Sequence, residues 1–75
     1  MDIVDKKEIL LKTEFIKLDQ LLKLANVVNM GSEAKFVIEE GKVLVNEEIE
    51  VRRGRKIYPG DQVSYNKIKV IVKRD

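Results

Sequence analysis

The sequence predicts an α+β domain: a leading strand, two short packed helices in a helix-turn-helix-like arrangement, and a small, bent antiparallel sheet. Three observations predict this fold. Apolar residues follow a helical spacing between residues 18 and 38, they alternate with polar residues from residue 42 onwards, and Gly, Asn and Pro separate the segments. A chain of 75 residues has the length of one small domain, and we expect residues 1–75 to form it.

The first half of the chain supplies the leading strand and the helices. Residues 8–15 form a short apolar run that suits a strand. One helical face then follows, and Asp19 in its first turn complements the helix dipole. A second helix starts at about Ser32, and Gly41 is a plausible residue just beyond its end. The apolar faces of the two helices consist of Leu18, Leu21, Leu22, Ala25 and Val28, and of Ala34, Val37 and Ile38.

The second half has the period of two that is typical of strands. Residues 43–45 and 49–51 flank a tight hairpin turn that begins at Asn46. Pro59-Gly60 predicts a type II turn, because Pro presets φ and Gly allows a positive φ. In the last strand, Ile68, Val70 and Val72 form the buried face and alternate with lysines on the wet face.

The composition excludes several classes of site. The chain has no His and no Cys, so the usual zinc, haem and iron–sulfur ligand sets and the His- or Cys-based catalytic groups are missing. We therefore expect no catalysis, no metal and no cofactor. Without cysteines the chain suits a reducing compartment, and it has neither an apolar run of about 18 residues nor a secretory signal. We expect a cytoplasmic protein that does not enter a membrane, and we also expect a monomer.

The net charge of +2 conceals an uneven distribution along the chain. Residues 1–41 carry a small acidic excess, whereas residues 42–75 carry nine basic residues against five acidic ones. Four of the nine lie within five positions: Arg52, Arg53, Arg55 and Lys56. Such a cluster can neutralise phosphates and release their counterions. It can equally be a solvated basic turn that keeps the chain soluble.

Four short strings, in order, resemble one known family. They are Lys17-Leu18-Asp19-Gln20-Leu21-Leu22, Ala34 to Ile38, Gly41-Lys42-Val43-Leu44-Val45-Asn46 and Gly60-Asp61-Gln62-Val63. Over residues 15–72 the chain is similar to the RNA-binding domain named after ribosomal protein S4, and it looks most like the small stand-alone bacterial versions. The resemblance implies the alpha-L RNA-binding motif, in which RNA lies across the helix N-termini and the adjacent basic loops.

The resemblance also implies a partner and a set of RNA-binding residues. The partner would be structured RNA, most simply ribosomal RNA or an assembling ribosomal particle with its proteins, read by shape and phosphate contacts. Helix N-termini offer N–H groups to phosphate, and Lys17 and Lys35 would stand near them. We expect the contacts to come from Lys17, Ser32, Lys35, Lys42, Asn46, Arg52, Arg53, Arg55 and Lys56.

The sequence departs from the family pattern at four places. Met30-Gly31 replaces a usual Ser-Arg, Lys17 replaces the more usual Arg, Phe36 occupies a frequently basic position, and Glu47 replaces the Gly of Val-Asn-Gly. These departures lower the RNA affinity expected at the helix face and shift the expected RNA contact towards residues 52–56.

Other candidate residues have simpler structural interpretations. Asp19 and Asp61 are expected to serve a helix start and a turn, and not to form a catalytic pair. Glu47, Glu48 and Glu50 are expected to lie on a solvated hairpin, since they lack the spacing of a calcium loop. Phe36 could stack on a base, but it is expected to cover the leading strand; Tyr58 and Tyr65 are likewise expected to pack.

Two other function classes stay open at this point. A ubiquitin-like sulfur carrier shares the Val-Asn hairpin and the Gly-Asp turn, but it needs a C-terminal Gly-Gly, and this chain ends with Val72-Lys73-Arg74-Asp75. A protein-interaction module could instead use the basic cluster to bind an acidic partner. A salt-sensitive complex with protein, and none with structured RNA, would favour that alternative.

Overall fold

Two α-helices pack on one face of a mixed β-sheet in a computed structural model that describes residues 3–75. In chain order the elements are β1 (Asp5–Leu11), β2 (Ile16–Lys17), α1 (Leu18–Leu24), α2 (Gly31–Glu39), β3 (Leu44–Val45), β4 (Glu48–Ile49), β5 (Lys56–Ile57), β6 (Gln62–Tyr65) and β7 (Ile68–Arg74). Neither helix in the described part of the chain is long and apolar enough to cross a membrane. The predicted α+β class with two packed helices is confirmed.

The main sheet has five strands in the order β1-β7-β6-β3-β4, and its pairs are antiparallel except at one edge. There β1 pairs with β7 in parallel, from Asp5 opposite Ile68 to Leu11 opposite Arg74. A parallel pair needs a long crossover, and here both helices and five short strands lie between the two partners. The leading strand therefore closes the sheet next to the last strand of the chain.

The leading strand differs in extent from the predicted residues 8–15. It begins at Asp5 and ends at Leu11, because its partner strand ends at Arg74, opposite Leu11. After a bend, the chain forms β2, which pairs with β5 in a separate two-stranded ribbon. This ribbon, and not the main sheet, brings the start of α1 to the predicted basic cluster.

One hydrophobic core joins the helices to the sheet. The predicted helix faces and the inner positions of the strands are all buried, and the most deeply buried large side chains are Leu18, Leu21, Leu22, Ile38, Ile57, Val43, Val45, Val63, Val70 and Val72. The predicted alternation in the last strand is confirmed at Val70 and Val72, which are buried, and at Lys73, which is exposed. Ile68 and Lys69 are both only partly buried, so the alternation is incomplete at the start of the strand.

Both helices end in the same way. At the end of α2, the N–H of Gly41 donates to the Ile38 carbonyl at 3.0 Å and the N–H of Lys42 donates to the Val37 carbonyl at 3.1 Å, with Gly41 at φ +76°. This Schellman arrangement confirms the predicted role of Gly41. Asn26, at φ +58°, has the corresponding place after α1. The first helix is therefore shorter than its apolar face, and Val28 is buried outside it.

The predicted turns are present. Asn46 and Glu47 both have positive φ, 51° and 73°, as a two-residue type I′ hairpin requires. Gly60 has φ +101°, and the N–H of Asp61 donates to the Tyr58 carbonyl at 3.0 Å, which matches the predicted type II turn.

Candidate nucleic-acid interface

Residues 52–56, called the basic loop from here on, lie against the beginning of α1. The N–H of Leu18 donates to the Arg55 carbonyl at 2.9 Å, and the N–H of Asp19 donates to the Arg53 carbonyl at 3.1 Å. The next N–H, that of Gln20, donates to the Asp19 carboxylate at 2.8 Å. The expectation of free N–H groups for phosphate at this helix start was therefore wrong, because the loop carbonyls and Asp19 already accept them.

The same docking brings two lysines together. Lys17 in β2 and Lys56 in β5 are direct partners in the antiparallel ribbon, and both are exposed. Side chains directly opposite each other project from the same face with Cβ atoms about 5 Å apart, and like charges there repel. Their neighbours in the ribbon, Ile16 and Ile57, point towards the core instead. The repulsion between these two exposed lysines favours an anion between them.

Glu50, placed on a solvated hairpin by the sequence, is instead buried beneath the basic loop, with only 7% of its side chain exposed. Its carboxylate accepts Nε and Nη2 of Arg52, both at 3.0 Å, the backbone N–H of Arg52 at 3.1 Å, and Nη1 of Arg55 at 2.9 Å. The solvated-hairpin expectation was wrong for Glu50, although Glu47 and Glu48 are exposed. Glu50 precedes Arg52 by two residues, but no local sequence pattern signals its burial.

The ion cluster also fixes the charge state of Glu50. The hydrogen bond from the Arg52 side chain lowers the pKa of the Glu50 carboxyl from 4.5 to about 2; burial opposes this shift, and Arg55 adds to it. Conversely, the carboxylate raises the pKa of the Arg52 guanidinium. One of the four loop cations is thus offset by a carboxylate that stays ionised at neutral pH.

The two arginines bound to Glu50 differ in how much of their side chains remains exposed to solvent. The Arg52 side chain is 73% exposed, and its Nη1 edge is not used by Glu50. The Arg55 side chain is only 32% exposed, and its carbonyl supports α1. Arg53 is exposed and makes no ion pair with any of residues 3–75. Arg53, Lys56 and Lys17 are therefore the cations of this surface that face solvent unpaired.

Asn46 serves a turn, as its position in the hairpin predicts. Its Nδ2 donates to Asp61 Oδ1 at 3.0 Å, and its Oδ1 accepts the N–H of Gln62 at 3.0 Å. The other carboxylate oxygen of Asp61 accepts the N–H of Tyr58 at 2.8 Å. Asn46 and Asp61, both part of the strings quoted above, thus hold the hairpin turn against the Pro59-Gly60 turn. This also bears out the structural interpretation of Asp61.

The remaining predicted residues lie on or after α2. Ser32 and Lys35 are exposed; Met30, just before the helix, provides no side-chain cap, while the Glu33 carboxylate accepts the N–H of Asn29 at 3.0 Å. Lys42 lies 5.9 Å above the ring of Phe36, which is 58% exposed. The expectation that Phe36 covers the leading strand was therefore wrong, because it faces outwards from α2 while Ala34, Val37 and Ile38 fill the core.

Two aromatic residues, Phe15 and Tyr58, lie close to Lys56. The Nζ of Lys56 lies 4.8 Å from the ring centroid of Phe15, and the ring of Tyr58 lies 5.9 Å from that of Phe15. Tyr58 is 41% exposed, so the packing expected for it is incomplete, whereas Tyr65 does pack against the core. Phe15 was not among the predicted site residues, although its place two residues before Lys17 could have indicated it.

The comparisons with known proteins agree with this fold. The "S4 domain" family model matches residues 9–73. The Bacillus subtilis (strain 168) protein named "Probable ribosome maturation protein RlbA" is 55% identical over 51 residues, which are 68% of this chain and 72% of that protein.

Two solved structures are also similar. Escherichia coli YbcJ, described as having an alpha-L motif involved in RNA binding, has 32% identity and a TM-score of 0.61, with 88% of this chain and 85% of that one covered. Vibrio cholerae heat shock protein 15, with 23% identity and a TM-score of 0.71, shares the fold; the match covers 83% of this chain and 66% of that one. With the family model matching almost the whole length, this chain belongs to the S4 domain family.

Proposed function

We propose that this protein binds folded RNA without catalysing a reaction, and that it acts in the cytoplasm on ribosomal RNA or on an assembling ribosomal particle. Membership of the S4 domain family supports the RNA-binding part. The similarity to a protein named for ribosome maturation supports the choice of partner. The description of YbcJ as carrying an RNA-binding motif points in the same direction.

The observation that carries the proposal is the placement of Lys17 opposite Lys56, beside the exposed Arg53. Two unpaired lysines on adjacent strands raise the energy of the free protein, and a phosphate between them relieves the repulsion. The scaffold around them is held by the carbonyl contacts to α1, so these cations are positioned before RNA arrives. Such a preformed surface suits a folded RNA, which is recognised by its shape and backbone.

The predicted residues divide into groups within this proposal. Lys17, Arg53 and Lys56 contact phosphates directly, and Arg52 adds its outer edge while Glu50 holds its inner one. Arg55 acts mainly by holding the loop. Ser32 and Lys35 at the start of α2 and Lys42 after it would extend the RNA surface, and Asn46 would contribute through the turn it stabilises.

The salt dependence of binding tests the mechanism. We expect binding to refolded ribosomal RNA fragments to weaken with salt, with a slope of log K against log[salt] of about −3 to −5 if four to six phosphates are contacted. Lys17→Ala or Lys56→Ala should weaken binding to all fragments and reduce the slope by about one. Lys6→Ala is the matched control, since Lys6 is exposed on β1, an edge strand of the main sheet that is not part of the β2–β5 ribbon.

Crosslinking in cells, followed by sequencing of the attached RNA, tests the partner. Recovery of ribosomal RNA at a discrete position supports the proposal. In the salt titration, a slope of log K against log[salt] near zero would refute phosphate neutralisation. Recovery of an acidic protein with no RNA would replace the proposal by a protein-interaction role for the basic loop.

A further inference from the structure

We propose that Phe15 and Tyr58, called the aromatic pair from here on, form a subsite for one unstacked base of the bound RNA. The inference rests on the proposed function and adds a contact that phosphate neutralisation does not supply. The two ring centroids are 5.9 Å apart, and the ring planes are inclined by 47°. Tyr58 is 41% exposed and Phe15 lines an open groove, so both residues present ring surface to a third planar group.

An open groove lies beside Phe15. Its volume is about 470 Å³, and it is lined by Thr13, Glu14, Phe15, Ile16, Lys17 and Gln20. This volume falls within the usual range for small-molecule sites, about 300 to 1,000 Å³. Its lining combines the apolar side chains of Phe15 and Ile16 with four polar ones, those of Thr13, Glu14, Lys17 and Gln20. This combination fits a flat ring that carries hydrogen-bonding atoms along its edge.

Two cations flank the aromatic pair. Lys56 Nζ is 4.8 Å from the Phe15 centroid, and Lys17, its partner across the ribbon, lines the groove. A nucleotide carries a planar base and a phosphate joined by one sugar, so a single nucleotide can meet the ring and a lysine at once. Aromatic rings beside basic side chains are the usual means by which proteins hold unpaired bases. An acidic peptide would use the lysines but would leave the aromatic faces unoccupied.

The other phenylalanine offers a comparison within the same chain, and it is 58% exposed whereas Phe15 is half-buried. Phe36 also lies near a lysine, with Lys42 Nζ 5.9 Å from its centroid. However, Phe36 lines neither the groove beside Phe15 nor a second groove formed by Gly41, Lys42, Leu44, Ile49, Tyr65 and Asn66. The second of these grooves contains Lys42 but not Phe36. The groove beside Phe15 adjoins two neighbouring aromatic rings and two lysines, whereas the second groove combines Lys42 with Tyr65, whose side chain packs against the core.

Ultraviolet crosslinking of the intact protein in cells tests this subsite directly, because aromatic side chains in contact with bases form covalent adducts. Trypsin would place the three relevant segments on separate peptides: residues 13–17 with Phe15, 36–42 with Phe36, and 57–67 with Tyr58. We expect a nucleotide adduct on Phe15 or Tyr58. RNA that is recovered with adducts elsewhere but on neither ring overturns the subsite and leaves the proposed function intact. Failure to recover any RNA refutes the proposed function itself.

A variant pair gives a second readout with the recovered RNA fragment as probe. Phe15→Leu keeps apolar volume but removes the aromatic face, and we expect affinity to fall about five-fold or more with an unchanged salt slope. Phe36→Leu should leave affinity unchanged. Replacing the crosslinked nucleotide by an abasic one should weaken the wild type by a similar factor and should not weaken Phe15→Leu further. An equal loss of affinity for the abasic RNA in both proteins overturns the subsite. If Phe15→Leu fails to fold, the crosslinking of the wild-type protein still decides the question.

Discussion

The buried carboxylate of Glu50 holds the guanidinium of Arg52 in a two-pronged ion pair, with Nε–Oε2 and Nη2–Oε1 distances of 3.0 Å each. The two residues are only two positions apart, and the backbone N–H of Arg52 donates to the same carboxylate. Arg55 provides a third cationic contact from the far side of the loop. A single acidic residue therefore fixes the shape of the most basic segment of the chain.

Glu50→Gln should destabilise the protein by about 1.5 to 3 kcal/mol. The amide preserves the volume but loses the charge-assisted hydrogen bonds to Arg52 and Arg55. Urea unfolding followed by circular dichroism measures the change. Glu48→Gln, on the same hairpin but exposed, is the control and should stay within about 0.5 kcal/mol of the wild type. Equal stability of the two variants would contradict the structural role assigned to Glu50.

The depressed pKa of Glu50 predicts an acid-sensitive contribution to stability. Because the folded-state pKa is about 2 and the unfolded value is near 4.5, this contribution is fully present above about pH 4.5. It is lost as the pH falls through about 2, and it amounts to at most about 3 kcal/mol. The free energy of unfolding of wild type and Glu50→Gln should therefore converge as the pH is lowered over this interval. A constant difference down to pH 2 would show that the charge of Glu50 is not what stabilises the loop.

Glu50 should also limit binding to unstructured RNA. Since its carboxylate offsets one loop cation, Glu50→Gln should strengthen binding to polyuridine and make the salt slope steeper by up to about one. Fluorescence anisotropy at about 50 to 300 mM salt measures both quantities. Glu48→Gln again serves as the control, because Glu48 makes no ion pair with residues 3–75. Weaker polyuridine binding by Glu50→Gln would mean that anchoring Arg52 matters more than the cancelled charge.

Glu47→Gly should stabilise the hairpin by about 0.5 to 1 kcal/mol. Glu47 has φ +73°, a conformation that is unfavourable for residues with a Cβ atom but not for Gly. Asn-Gly is also the favoured sequence for a type I′ turn. Its ion pair with Lys69, at 3.7 Å, is exposed on the Glu47 side and contributes little. Thermal unfolding measures the gain. Glu47→Ala removes the same ion pair but keeps the unfavourable φ, so it should give no stabilisation.

Local patterns in the sequence were sufficient for much of the fold. The helical spacing identified the buried faces of both helices, and Gly41, Asn46 and Pro59-Gly60 correctly placed a helix end and two turns. These features depend on backbone preferences and on contacts between residues near in sequence, so the sequence contains the necessary information. The family resemblance rests on the same residues, since Asn46 and Asp61 hydrogen-bond to each other.

Features that depend on distant contacts were not predictable in the same way. The exposure of Phe36 depends on which side of α2 meets the sheet. At the start of α1, two backbone N–H groups donate to carbonyls that are more than thirty residues away in the sequence. The burial of Glu50 likewise requires the loop to fold back over it. None of these has a local signal, because each is decided by how separate segments pack.

The sequence by itself determined the α+β class, the helix faces, the turns, the family and the position of the basic cluster along the chain. Only the tertiary structure decided which of those basic residues are available. Pairing of β2 with β5 places Lys17 opposite Lys56, while burial of Glu50 commits part of Arg52 and Arg55 to the loop itself. The physical reason is that charge is a property of composition, whereas its availability depends on which opposite charges and hydrogen-bond acceptors the fold brings within about 3 Å.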